Sequence, residues 1–565
     1  MESKYYIEYL NTKNGEKTVK INDYFLHSKY NPSKEASEFA DKNFKPERLQ
    51  LIYGYGAGHF VKAIQKKAKN GEKIIVIEPI LSIVDEIKDL IVISASSEAE
   101  IREKLDENIT LTDNINVIIS PNYDKIDDYI YSQVLNAINK KMHSDFVAES
   151  THRFFNKQWP ENYLLNLQYI LKDQSILKLK EKYSAPVVIA SGGPSLTKQL
   201  DNLKLYRNNI ILIAAGSTVN TLLHNNIQPD YVITVDGSEA NFNHFKDIKD
   251  IDSKIIYTLY NHHLIRPVFS NEGYYFTANS TMDRHLQKFI EEPVPFLSGG
   301  TSVANYAYSL ATYITTGPIS IIGQDLAFTN NKTHADYNKN SRQLEEISES
   351  EKIFIQIDGY YGEKVLSDYV FMTMKESFEK LYKTLGENRI VFNCTEGGAL
   401  IRGMKNMPFI EFLNKYAINS ITTDKVDNPN VSFVRNLKKM LPELEKEKEN
   451  YVQLKKLFKK SLDLLKSNNS KTTFSNDILR KLDENDGKIQ KFSERTVLEI
   501  SFQTININVL KYFKPTKNES SIDAYTRIYK QNKMLYSEML EATKETEIHL
   551  DKLIGLLKKG ENVNE

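Results

Sequence analysis

Five short segments of the 565-residue chain combine glycine, hydroxyl and acidic residues: SGGPSL (191–196), AAGSTVN (214–220), ITVDGSE (233–239), LSGGTSVANYA (297–307) and IIGQDLAF (321–328). Gly192, Gly193, Gly216 and Gly300 would let a ligand approach the main chain, and Ser195, Ser217, Ser238, Thr301 and Ser302 add hydroxyl donors. Where a helix follows such a turn, its free amides favour an anion, most simply phosphate. Asp236 would repel a phosphate unless it takes a ribose hydroxyl or holds a divalent cation such as Mg or Mn. A hydroxyl acceptor benefits from a general base, for which His334 in NNKTHADY is the first candidate and Asp325 and Glu396 are rivals. Each has a plainer reading as a tight turn or an ordinary loop residue, and the adjacent pair His262 and His263 reads as structural.

The elements that must position these residues are short apolar runs bounded by turn residues. Strands are expected at Val187–Ala190, Ile210–Ala214, Tyr231–Val235, Lys254–Leu259, Ile319–Ile322 and Ile390–Asn393, with helices between them. Buried parallel strands have this texture, so residues 185–416 are expected to form a doubly wound α/β domain. The carboxyl ends of parallel strands open onto one edge, which would gather all five segments around one crevice.

Residues 1–150 show the same rhythm. Leu49–Tyr53, the turn GYGAGHF, a helix and Lys73–Ile77 make one βαβ unit, with further strands at Asp89–Ser94 and Asn116–Ser120. The spacing G-x-G-x-G, with Glu78 about twenty residues on, approximates a nucleotide-binding turn but departs from G-x-G-x-x-G. It reads equally as a Rossmann-like scaffold without a ligand. Residues 151–184 are expected to form a helical linker, and 417–565, rich in Lys, Glu and Leu, a helical C-terminal domain.

Lys plus Arg balance Asp plus Glu at 74 each, which argues against a chain-wide affinity for nucleic acid or anionic membrane. No apolar run is long enough to span a bilayer, and the N-terminus lacks the apolar core of a signal peptide. The single cysteine, Cys394, excludes an internal disulfide and a cysteine metal cluster. No G-x-S-x-G elbow suggests a hydrolase. A cytoplasmic protein is expected.

Taken in order, GGPSL, PDYVITVDGS, GGTSVANYA, GQDLAF with a following THA, and NCTEGGALIRG resemble the Maf (motility-associated factor) flagellin glycosyltransferases over residues 185–416. The middle domain is also similar to sialyltransferases that hold CMP-sialic acid on a GNGPSL loop, and more remotely to an archaeal pterin pyrophosphokinase. The resemblance implies transfer of a nonulosonic acid (pseudaminic, legionaminic or a related keto-sugar acid) from a CMP donor to serine or threonine hydroxyls of flagellin. It implies a nucleotide site at Gly192, Gly193, Ser195, Gly216, Ser217, Asp236, Ser238, Gly300, Thr301 and Ser302. The chain departs from the sialyltransferase pattern in carrying Gly193 and Asp236 where asparagines stand, and Phe328 near the first tyrosine of a pair. A flagellin-binding chaperone on a nucleotide fold and a nucleotide pyrophosphotransferase stay open as alternatives.

Overall fold

The computed structural model describes residues 5–561 apart from 47, 69–71, 85–89, 111–112, 156, 250, 279–282, 348–353, 422–429, 469–471 and 516–518. The chain divides into two compact units: Met1–Phe154 with Leu465–Ile478 and Thr504–Leu535, and Phe155–Leu464 with Leu479–Gln503 and Tyr536–Glu565.

The first unit begins with an antiparallel sheet of β1 (Ile7–Asn11), β2 (Lys17–Ile21) and β3 (Tyr24–Phe25), for which the sequence reading has no counterpart. Its main sheet is parallel, with β4 (Leu49–Tyr53), β5 (Ile74–Glu78), β6 (Ile91–Ser94) and β7 (Ile115–Ile119) in the order β6-β5-β4-β7. β4 and β5 are buried along their whole length, which is why LQLIY and IIVIE show no polar alternation. The helix His59–Lys67 buries Phe60, Val61 and Ile64, and carries Lys66 and Lys67 at the end where the helix dipole favours cations.

The second unit is built on nine parallel strands. They are β8 (Gln174–Ser175), β9 (Val187–Ala190), β10 (Ile211–Ala215), β11 (Tyr231–Thr234), β12 (Lys254–Tyr257), β13 (Tyr274–Tyr275) and β14 (Ile319–Ile322), then, after an antiparallel hairpin of β15 (Phe354–Asp358) and β16 (Lys364–Asp368), β17 (Val391–Asn393) and β18 (Lys405–Asn406). The order is β18-β17-β14-β9-β10-β11-β12-β13-β8. The six expected strands form within two residues of their expected ends. The two-residue strands β8, β13 and β18 are too short to leave a pattern.

Val187, Val188, Ile189 and Ala190 are all fully buried, so both faces of the sheet are covered. One cover is the helix Val303–Ile314, which packs on β9, β10 and β11. Ala304, Ala307 and Ala311 fall on its buried side with Tyr308, Leu310 and Ile314, so small side chains bring its axis close to the strands.

The tail is helical as expected, in Asn430–Ser467, Asn476–Ser493, Glu499–Tyr512 and Ser521–Glu561, and no strand is described beyond Asn406. Leu437, Met440, Leu444, Tyr451, Leu454 and Phe458 are buried at alternating helical intervals. Glu447 falls in the same row and is also buried, where it accepts hydrogen bonds from Tyr451 Oη (2.8 Å) and Val497 N (3.0 Å). Among the described residues no helix is long and apolar enough to cross a membrane.

Candidate functional site

Both parallel sheets reverse their strand order, between β4 and β7 in one unit and between β9 and β14 in the other. Such a switch point opens a crevice outside the carboxyl ends of the strands. The two crevices have opposite fates.

In the first unit the crevice is filled. Gly54, Gly56 and Gly58 all have positive φ (100°, 58° and 81°), so this turn requires glycine for its backbone alone. The Tyr123 ring occupies the space a side chain at Gly54 would need. Tyr123 Oη accepts from Gly56 N (2.7 Å) and donates to Glu78 Oε2 (2.7 Å), and Tyr55 N donates to the same oxygen (2.6 Å). Ala57 N donates to His27 Nε2 (2.9 Å) and Gly58 N to Tyr55 O (2.9 Å). The amides that would meet a phosphate are therefore spent on the protein. Glu78, which a ribose would need, has no exposed surface. Burial pushes its carboxyl up to about 7. The ligand-free reading of this turn is the one its geometry matches.

In the second unit the crevice is open and forms a cavity of about 470 Å³. Gly192, Gly193, Gly216, Ser217, Asp236, Gly300, Thr301, Ser302, Asp325 and His334 line it, so four β-strand ends and the start of the Val303 helix meet there. Ser195, Ser238 and Glu396 do not line it. Ser195 N and Oγ instead donate to Asp325 Oδ1 (3.1 and 2.8 Å). Ser238 Oγ accepts from Asn241 N (3.1 Å) and caps the helix Glu239–Phe245. Glu396 Oε2 accepts from Phe409 N (3.0 Å), at the start of the helix Phe409–Tyr416.

Residues 161–331 match the family model described as 6-hydroxymethylpterin diphosphokinase MptE-like. Among solved structures, the chain is similar to the Maf glycosyltransferase from Magnetospirillum magneticum AMB-1, at a TM-score of 0.61 and 13% identity over 99% of this chain and 95% of that one. The fold is shared from end to end. Comparison with curated proteins finds no match.

The double glycine of SGGPSL has a cause that sequence reasoning places elsewhere. A Cβ on Gly193 would fall on Asp325 Oδ1 and 2.5 Å from the carbonyl oxygen of Gly323, and Gly193 N donates to that same carbonyl (2.7 Å). The close approach is between two strand-end loops, not between a loop and a ligand. Gly193 N and Ser195 N are thus committed within the chain, as are Gly216 N, which donates to Ile233 O (3.0 Å), and Ser302 N, which donates to Asn305 Oδ1 (3.1 Å). Asp325 is buried beneath this junction, and burial raises its carboxyl above the ordinary value.

His334 sits on a segment that crosses the strand ends. Ala335 N donates to Gly192 O (2.9 Å), Asn338 Nδ2 to Ser217 Oγ (3.2 Å), and Lys339 Nζ to Asn243 O (2.7 Å) and Asp247 (3.0 Å). Tyr337 stacks on His224 at 3.5 Å. The segment is thus pinned successively to the loops after β9 and β10 and to the helix after β11.

Other lining residues escaped the sequence reading. Phe371 and Met374 come from the helix Tyr369–Leu381, which no strand-end rule indicates. Asn241 and His244 follow DGSE one helical turn apart, and that i, i+3 spacing was the available signal. Ser191 Oγ, Thr218 Oγ1, Gln324 Oε1 and His244 Nδ1 are buried atoms of lining residues with no hydrogen-bond partner in the chain. Asp236 is exposed, and its Oδ1 accepts from Ser238 N (2.8 Å). Among the described residues no group of three or more His, Cys, Asp or Glu side chains is placed to hold a metal ion.

Proposed function

We propose that this chain is a glycosyltransferase that moves a nonulosonic acid, or a related keto-sugar acid, from its CMP-activated form to serine or threonine hydroxyls of flagellin. The observation that carries the reading is the open switch-point cavity, lined by glycines, hydroxyls and a helix start and, among the described residues, by no lysine or arginine. Such a lining suits a ligand with one phosphoryl group and many hydroxyls. The fold shared with a Maf glycosyltransferase and the motif order described above support it.

In the reaction, the acceptor oxygen bonds to the anomeric carbon as the bond to the phosphate oxygen breaks. The electron pair leaves on the phosphate, and the acceptor proton passes to a base. Amides in the first turn of the Val303 helix that the capping box leaves unbonded would stabilise the departing charge, which preorganised donors do without reorganising during the step. The ring of Phe371, 5.3 Å from Phe328, and the Met374 side chain supply an apolar wall for a planar base.

The match of residues 161–331 to a pterin diphosphokinase model favours a second reading, diphosphate transfer from ATP. Against it stands the lack of lysine and arginine in the described lining, because such side chains ordinarily cradle the phosphates of a triphosphate alongside any metal ion. Co-expression with flagellin in a host that makes CMP-activated pseudaminic or legionaminic acid, followed by intact-protein mass spectrometry, tests the proposal. The expected result is a mass increment matching the sugar and release of CMP. Release of AMP from ATP would establish the second reading, and flagellin binding without any increment would make the chain a chaperone.

A further inference from the structure

We infer that His244 is the general base that takes the proton from the acceptor hydroxyl, an assignment that rests on the glycosyl-transfer reading above. The side chain lines the cavity from the helix Glu239–Phe245, eight residues after Asp236, and is only 6% exposed. No hydrogen bond from the chain reaches its Nδ1. The residue is a buried imidazole on the wall of a polar cavity, with one ring nitrogen unpaired in the chain.

The other titratable groups near the cavity are engaged differently. Asp325 takes both the N–H and the hydroxyl of Ser195 and lies under Gly193. Glu396 caps a helix outside the cavity. His262 pairs with Glu239 (3.1 Å) and stacks on Phe242. His334 belongs to the covering segment, whereas His244 is rooted on a helix that follows β11 directly. A base held on a rigid element keeps its geometry better than one on a loop.

Two charges face His244, Asp236 from the end of β11 and Lys339 from the covering segment. Burial first, and then Lys339, hold the imidazole below its ordinary value of 6.5, while Asp236 pulls the other way. The ring is therefore neutral at pH 7, as a base must be before the step. Asp236 then stabilises the imidazolium that forms once the hydroxyl proton is on the ring. The new C–O bond and the released CMP balance the reaction, and the proton leaves the ring to solvent.

The test uses the full chain with a CMP-activated nonulosonic acid and flagellin. His244→Ala should lower kcat by about 10²–10⁴-fold, with CMP affinity within threefold of the parent and partial rescue by added imidazole. Lys339→Met should move the acidic limb of the kcat–pH profile to higher pH, which lost packing alone would not do. His334→Ala should change KM and leave that limb in place. Retention of more than a tenth of kcat by His244→Ala, an unmoved limb in Lys339→Met, or loss of the limb in His334→Ala would each overturn the assignment. A parent enzyme that binds CMP and transfers no sugar would instead sink the glycosyltransferase reading.

Discussion

The filled crevice of the first unit holds two buried groups whose proton linkages oppose each other. Burial raises Glu78 from 4.5 to about 7, so between these values the folded state keeps a proton that the unfolded chain has lost. That contribution to stability is complete below pH 4.5 and is lost as pH rises through about 7. Burial lowers His27 from 6.5 to about 3, so between those values the unfolded chain holds a proton that the fold excludes. Its contribution is present above pH 6.5 and is lost as pH falls toward 3. Each slope is about 1.4 kcal/mol per pH unit, and between pH 4.5 and 6.5 the two cancel. The parent should therefore show a nearly flat opening free energy for the β4 and β5 amides over that window, read by hydrogen exchange corrected for intrinsic rates. Glu78→Gln should unmask the histidine, so that stability rises by about 3 kcal/mol across the window. His27→Gln, which keeps an acceptor for Ala57 N, should give a fall of similar size. Flat profiles in both variants would refute the reasoning, as would a parent slope equal to that of Glu78→Gln.

Gly193→Ala should destabilise the second unit by about 1–3 kcal/mol through overpacking against Asp325 and Gly323, seen as a lower denaturation midpoint, with weaker CMP binding as a consequence. Glu396→Ala should cost about 1 kcal/mol through the lost cap of the Phe409 helix, and should leave CMP affinity unchanged in calorimetry. A saturating dinucleotide should leave amide exchange at residues 55–58 unaltered, because those donors already have partners in the chain.

The parallel sheets, the helical tail and the gathering of strand-end loops at one edge were legible in the sequence. Buried parallel strands are continuous apolar runs, and glycine-rich turns after them are local events written in consecutive residues. β1–β3 and the two-residue strands β8, β13 and β18 were not legible, because strands this short or exposed leave no apolar run and form only where a partner strand is brought beside them. The same limit governs the site. GYGAGHF and SGGPSL look alike as strings, and each ends a strand at a switch point. Only the tertiary structure reveals that Tyr123, 69 residues beyond Gly54, fills one crevice while the other stays open. It likewise assigns Gly193 to the approach of Asp325, 132 residues away, and brings Phe371, Met374 and His244 to one cavity wall. A sequence by itself determines which backbone conformations and which chemical groups are available. What occupies the space beside them is set by long-range packing, since every buried donor and every void must be filled by whichever element the fold brings there.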